Sequence, residues 1–220
     1  MPTTNYTVNG APVPSVTTVI DKTLGWNKDA LVRWAYKQGK AGRDLYAARD
    51  EAGNIGTLAH YLAECHIKGL HPDHAYIESF PEDTKEAGYV AYRNFGKWFK
   101  SISFDPLLIE GHLVSEEHGF GGTPDCIAYI NGELSIFDLK TSMGIYSDYL
   151  IQICGGYSLL WEESHADQLI ERYDIVRFGK FARTHTHFSI DAGEITKTAQ
   201  GVFLNLLQIY RAQEKVNSLL

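Results

Sequence analysis

No apolar stretch in this chain approaches the roughly 20 residues that cross a bilayer. The opening Met1-Pro2-Thr3-Thr4-Asn5 lacks the basic start and apolar run of a signal peptide. The expectation is a cytoplasmic protein with no membrane partner. Cysteine is scarce: Cys65, Cys126 and Cys154 are odd in number, far apart and without a CxxC pair. That argues against a disulfide framework and offers no zinc or iron–sulfur spacing, so buried thiols are expected. Net positive charge is absent as well. A formal charge of -7 does not suit a protein that coats nucleic acid by bulk electrostatics, which needs a positive surface. An enzyme stays compatible, because a carboxylate-lined metal site is acidic locally while basic residues gather elsewhere. Internal repeats, linkers and low-complexity segments are also missing, and 44% hydrophobic with 21% charged residues is ordinary globular composition. For 220 residues this predicts one folded domain with its own core.

The N-terminal part, residues 1–103, reads as mostly helical. Ser15 to Leu24, Asp29 to Gln38, Asn54 to Lys68 and Glu82 to Lys100 carry apolar residues at three- and four-residue spacing. A sheet core follows over residues 104–190. From Leu107 to Thr141 short apolar and β-branched runs are separated by Glu117-His118-Gly119 and Asn131-Gly132, which predicts a three-stranded meander. A helix is expected from Asp148 to Glu163. Strands are expected over Tyr173 to Phe178 and Thr184 to Ile190, broken at Gly179-Lys180, and a closing helix over residues 193–217. In that helix Val202, Phe203, Leu206, Leu207 and Tyr210 form one apolar stripe, expected to face the core. The fold class is therefore α/β, a central mixed sheet flanked by helices.

Asn131-Gly132 is a strong two-residue hairpin signal, because both positions of a type I′ turn need positive φ. With those residues as the loop, Ile130 pairs with Glu133, and counting back sets Asp125 directly opposite Asp138. Side chains alternate along a strand, so Lys140 shares that face while Phe137 and Leu139 point to the other. Carboxylates so paired have Cβ atoms about 4.5 to 5.5 Å apart and destabilise each other. A divalent cation would compensate, and hard oxygen ligands suit Mg²⁺ or Mn²⁺. The alternative is a plain Asp138–Lys140 salt bridge on a solvated strand face.

The run Gly122-Thr123-Pro124-Asp125, the hairpin, and Ile136-Phe137-Asp138-Leu139-Lys140-Thr141-Ser142 resemble the core of the PD-(D/E)XK nuclease superfamily in its RecB-like exonuclease branch. Gly56-Thr57-Leu58-Ala59-His60 resembles the G-x-x-x-H segment of that branch, and Glu110 sits where its members carry a glutamate on the preceding strand. Pro14-Ser15-Val16-Thr17-Thr18-Val19 resembles the opening of phage-type members and of the related mitochondrial genome maintenance exonuclease. The resemblance implies a single nuclease domain over residues 1–220 with a restriction-endonuclease-like core. It implies metal coordination by His60, Asp125, Asp138 and the Leu139 carbonyl, with Lys140 orienting and activating water. It further implies hydrolysis of DNA at ends, including single strands, in phage or prophage recombination, replication or repair, inside a bacterial host cell. The rival from a different class is a nucleic-acid-binding or assembly module that keeps the fold without chemistry. Within enzymes, a structure-selective endonuclease shares the same metal site.

Three positions carry two readings each. Glu110 falls opposite Asp125 if Glu117-His118 is a two-residue loop, and one position away if the loop includes Gly119. Glu64, one turn after His60, either orients that histidine or makes an ordinary helix-surface pair. Members of the branch carry Q-x-x-x-Y on the next helix, but here Gln152 is followed at that spacing by Gly156, with Tyr157 one residue later. A one-residue shift turns an α-helical side chain by about 100°. Gln152 is expected at the catalytic centre, and Tyr157 either at the nucleic acid or in the core. Candidate phosphate contacts are Arg33, Lys37, Lys40 and Arg43, then Arg93, Lys97 and Lys100, then Arg177, Lys180 and Arg183. His185 and His187 alternate on a strand and, without a third ligand nearby, are expected on an exposed face.

Overall fold

The computed structural model describes residues 5–25, 28–181 and 184–220. Its centre is a five-stranded sheet of β3 (Phe104–Ile109), β6 (Cys126–Ile130), β7 (Glu133–Lys140), β8 (Arg172–Phe178) and β9 (His185–Asp191), paired in that order. Only β7 and β8 run parallel, and every other pairing is antiparallel, so the sheet is mixed. Strand β7 is buried on both faces from Leu134 to Leu139, as expected of a parallel pair with helices on each side.

One face packs against α1 (Val16–Thr23), α8 (Glu194–Asn217) and the helical crossover between β7 and β8. Ile127, Ile136, Tyr173 and Ile175 meet Val16, Ile153, Leu160 and Phe203 there. The predicted stripe of α8 faces this core: Phe203, Leu206 and Leu207 are buried in it, and Val202 and Tyr210 pack at its edge. The other face is covered by α3 (Leu45–Ile67) and α5 (Glu82–Phe99), where Ala59, Ala63, Phe95 and Trp98 meet Phe137, Leu139, Val176 and Phe178. Trp98 stacks on Phe137 at 4.9 Å between ring centroids. Helix α2 (Lys28–Lys40) contacts α3 but leaves Leu31, Val32 and Tyr36 exposed. All three cysteines are free and buried. Among the described residues no helix is long and apolar enough to cross a membrane.

Several elements depart from the expectation. A hairpin of β1 (Tyr6–Val8) and β2 (Ala11–Val13) turns at Asn9-Gly10, both at positive φ, within a region read as helical. Helix α3 begins nine residues before Asn54, because Asp44 caps it by accepting the N–H of Ala47 at 2.7 Å. Its first turns are mostly exposed, so no apolar period marked them. A short α4 (His74–Glu78) was not expected. The meander is interrupted: β4 (Leu113–Ser115) and β5 (Phe120–Gly122) form a separate two-stranded hairpin, joined by four residues rather than two or three.

The crossover helix is not one α-helix either. It runs as α6 (Ser147–Leu150), a π-helix over Ile151–Tyr157, and α7 (Ser158–Ser164).

Candidate active site

The Asn131-Gly132 turn has φ of 53° and 93°, and Ile130 pairs with Glu133, so the hairpin register is the one its turn chemistry predicts. Pairing stops at Cys126↔Phe137, one step short of the aspartates. Asp125 therefore lies just outside β6, in line with Asp138. Its carboxylate accepts the backbone N–H of Leu139 at 2.7 Å and lies 3.5 Å from Nδ1 of His60. His60 comes from the middle of α3. Gly56, one turn earlier, brings that helix against Thr141, where an added Cβ would stand 3.2 Å from Oγ1.

Glu110 reaches the same place by a different device. A register shift in β3 between Pro106 and Leu108 moves the pairing by one residue, so that Ile109 faces Cys126. Carried on unshifted, the Phe104↔Ile130 alignment would put Glu110 opposite Pro124. Instead the Glu110 N–H donates to the carbonyl of Asp125 at 3.1 Å. The β4–β5 hairpin continues the same alignment, with Leu113 facing Gly122. Glu110 has a φ of 51°, an uncommon conformation for a residue with a side chain. His60, Glu110 and Asp125 offer ligand atoms that all lie within 4.8 Å of one another. Glu110, expected in a catalytic role, thus stands in the ligand cluster, whereas Asp138 turns to Lys140.

Asp138 Oδ2 lies 2.6 Å from Lys140 Nζ, and the aspartate side chain is only 2% exposed. The pair is an ion pair, but on a buried face rather than a solvated one. Lys140 donates to Oε1 of Gln152 at 3.1 Å and sits 4.8 Å from the ring centroid of Tyr149. Nε2 of Gln152 donates to the Tyr157 hydroxyl at 2.9 Å. Tyr149 was passed over in the sequence, although it lies one helical turn before Gln152.

Electrostatics follow from this crowding. Burial, with Asp125 adding to it, pushes the Glu110 carboxyl up to about 8. Burial raises Asp138 to about 6 even against the nearby ammonium of Lys140. Burial works the same way on Asp125, but His60, Lys140 and the Leu139 N–H outweigh it and lower that carboxyl. For His60 and Lys140 burial alone would favour loss of the proton. The surrounding carboxylates outweigh it and raise both. Near neutral pH the cluster thus holds a proton on Glu110 that a metal ion could replace.

The donor set fits a hard divalent cation. Imidazole nitrogen and carboxylate oxygens converge, and among the described residues the buried His60 Nδ1 and Asp138 Oδ2 have no well-directed hydrogen bond. Leu139, whose carbonyl was an expected ligand, lends its N–H to Asp125.

The other candidates are placed differently. Glu64 pairs with Lys68 at 2.6 Å, the ordinary helix-surface contact. Tyr157 is 4% exposed and reaches Gln152 rather than the surface. Lys180 donates to the carbonyl of Ala52 and pins the loop after β8 to α3. Arg93 lines an open groove with Glu78, Glu82, Lys85 and Glu86, where Lys85 pairs with both Glu78 and Glu82; Lys97 is exposed on the last turn of α5. Arg33 and Lys37 are exposed on α2. Arg183 lies outside the described residues. His185 and His187 lie on an exposed face as expected, and Nε2 of His187 also reaches the buried carboxylate of Asp174 at 2.6 Å.

The fold and site define a mixed α/β protein with a partly buried carboxylate–imidazole–ammonium centre where β6, β7, α3 and the crossover helix meet. No family model and no curated protein matches the chain. Among solved structures, a provisionally designated exonuclease from Eubacterium rectale is similar over 74% of this chain at 13% identity, with a TM-score of 0.47. This chain spans 65% of that protein's length. The alkaline exonuclease LHK-Exo from Laribacter hongkongensis is similar over 74% of this chain and 93% of its own, at 11% identity and a TM-score of 0.37. Its complex with dAMP gives 12% identity and the same TM-score of 0.37.

Proposed function

We propose that this chain is a divalent-cation-dependent nuclease that hydrolyses phosphodiester bonds at DNA ends. One observation carries the reading: Asp125, Asp138, Glu110, His60 and Lys140 converge on one partly buried centre. His60, Glu110 and Asp125 would hold the cation, with Asp138 beside them and the Leu139 carbonyl as the further ligand implied by the resemblance. Mg²⁺ or Mn²⁺, when bound, lowers the pKa of a coordinated water and offsets charge on the phosphate.

The chain's own groups do the rest. Lys140 keeps its proton, since its carboxylate neighbours outweigh the effect of burial. It therefore serves as a donor to an anionic phosphate oxygen and not as a base. Gln152 and Asp138 hold that ammonium from two sides. Asp125 accepts from the Leu139 N–H, so its orientation is set before any ligand arrives. Exposed Arg33 and Lys37 on α2 are candidate phosphate contacts in this reading.

Action on ends, including single strands, rests on the resemblance of Gly56–His60 and the Asp125 to Ser142 run to the exonuclease branch. A role in phage or prophage recombination, replication or repair rests on the resemblance of Pro14 to Val19. The test is end-labelled single- and double-stranded DNA and a closed circle, each incubated with Mg²⁺, Mn²⁺ or EDTA. Linear DNA should be degraded only with metal, and the closed circle spared. Asp138→Ala and Lys140→Ala should abolish cleavage. Full activity in EDTA would sink the reading, and rapid cutting of the circle would replace it with an endonuclease.

A further inference from the structure

Gln152 and Tyr157 are five residues apart, a spacing that separates two side chains on an α-helix. In a π-helix hydrogen bonds run from i to i+5, so residues five apart fall on the same side of the helix, as residues four apart do on an α-helix. Residues Ile151–Tyr157 form such a helix, and all seven are buried. Its position is held by close packing on both sides. A Cβ on Gly155 would stand 2.6 Å from the carbonyl oxygen of Ala199 in α8, and one on Gly156 would stand 2.5 Å from Val16 in α1. Any larger residue at either place would push the helix off its neighbours.

The consequence is a directed chain of three polar groups. The Tyr157 hydroxyl accepts from Nε2 of Gln152, which leaves Oε1 of the same amide facing the Lys140 ammonium at 3.1 Å. Without a partner on Nε2, the amide could turn over and set two donors against each other. Lys140 would then settle against its remaining neighbours, the Asp138 carboxylate at 2.6 Å and the Tyr149 ring at 4.8 Å.

We propose that Tyr157 is a positioning residue for Lys140, acting through Gln152, and that the π-helix is what brings its hydroxyl into range. For activity this rests on the proposed hydrolysis. The placement of the ammonium is a separate physical property of the chain. Displacing a reacting group by about 1 Å costs up to a hundredfold in rate. Because Tyr157→Phe removes only one link of the chain, a loss on the order of tenfold in kcat is expected, with KM unchanged.

The test uses Tyr157→Phe, Gln152→Met and the double variant in the full chain. It reads kcat and KM with Mn²⁺, thermal melting, and the side-chain amide ¹H–¹⁵N signals of Gln152, identified by their loss in Gln152→Met. Tyr157→Phe should shift the Gln152 amide signals and lower kcat. The double variant should be no slower than Gln152→Met alone, since both act on one path. Additive losses in the double variant, or Gln152 signals unmoved by Tyr157→Phe, would overturn the proposal. If Tyr157→Phe melts far below wild type, the non-additive cycle still separates positioning from general loosening, which would burden both backgrounds equally. If the wild-type chain cleaves nothing, the hydrolysis reading fails by itself, and the amide signals still decide whether Tyr157 orients Gln152.

Discussion

The carboxylate of Asp125 accepts the backbone N–H of Leu139 at 2.7 Å, so this side chain takes over where the β6 backbone stops pairing. One oxygen of Asp125 completes the sheet while the other faces His60. The two duties can be separated by substitution. Asp125→Asn keeps an acceptor for Leu139 and should hold most of the stability while losing metal binding. Asp125→Ala leaves a partly buried N–H unpaired and should cost about 1 to 3 kcal/mol. Urea denaturation of the two variants checks this. Equal destabilisation would mean that the Leu139 contact does not support the fold.

Glu110 makes the metal-free chain sensitive to alkaline pH. Its folded-state carboxyl is raised from the ordinary 4.5 to about 8, so the folded chain holds this proton more tightly than the unfolded chain does. That contribution to stability is present below about 4.5 and is lost as pH rises towards about 8. Glu110→Gln cannot ionise, so its stability relative to wild type should rise steadily over that window. The readout is the difference between the two melting temperatures, measured from pH 5 to pH 8.5 in EDTA. A flat difference would mean that Glu110 is not confined by Asp125 and burial as described.

Cation binding should also release protons, because His60 and Glu110 are the groups the ion would face. Apparent Mn²⁺ affinity is expected to rise by at least tenfold between pH 6 and pH 8, since displacing one proton per ion gives about a tenfold change per pH unit. Calorimetry in two buffers of different ionisation enthalpy measures the protons directly. Binding with no proton release would place the ion away from these residues.

The parts of this site that could be read in the sequence are those governed by local rules. Asn131-Gly132 sets a type I′ turn, the turn sets the register, and alternation puts Asp138 and Lys140 on one side of β7. At Asn9-Gly10 the same dipeptide turns a hairpin that no apolar alternation announces. The flanking strands there are three residues each, and Pro12 interrupts the second, so no alternation frames the turn. The register that sets Glu110 beside Asp125 is the one a Glu117-His118 loop implies, although the hairpin closes over four residues; the bulge in β3 that carries the strand into that register is not encoded by a pattern of apolar residues. The π-helix leaves no periodic mark either. It is selected by packing between α1 and α8, contacts far apart in the chain. The odd spacing of Gln152 and Tyr157 was visible, but an α-helix was assumed beneath it.

Away from the site, Asp174 supplies acid stability. Burial would raise this carboxyl, but hydrogen bonds from His187 and Ser135 outweigh that and hold it below the ordinary 3.8. A depressed carboxyl stabilises the fold above its unfolded value and loses that contribution as pH falls through the folded one. His187→Ala should therefore cost about 1 to 3 kcal/mol at neutral pH. It should also move the acid-unfolding midpoint upward. Circular dichroism from pH 7 to pH 2 reads both, and an unchanged midpoint would show that Ser135 and Ser189 hold Asp174 without His187.

Lys140 links stability to metal most directly. Its ammonium lies 2.6 Å from a carboxylate that is raised to about 6, so the ion pair exists only above that value. Below it Asp138 is protonated and Lys140 has less to neutralise. Lys140→Ala should thus destabilise the metal-free chain more at pH 8 than at pH 5, by up to about 3 kcal/mol at the higher pH. The same variant leaves the cluster of His60, Glu110 and Asp125 in place and removes a positive charge beside it. Mn²⁺ at pH 8 should then raise its melting temperature at least as much as it raises that of wild type, because the ion relieves repulsion the lysine no longer offsets. Thermal melts of both proteins with and without Mn²⁺ at fixed ionic strength decide the matter. If Lys140→Ala loses the Mn²⁺ shift altogether, the ammonium is needed to build the cation site itself, and its assignment as a donor to phosphate gives way to a structural one.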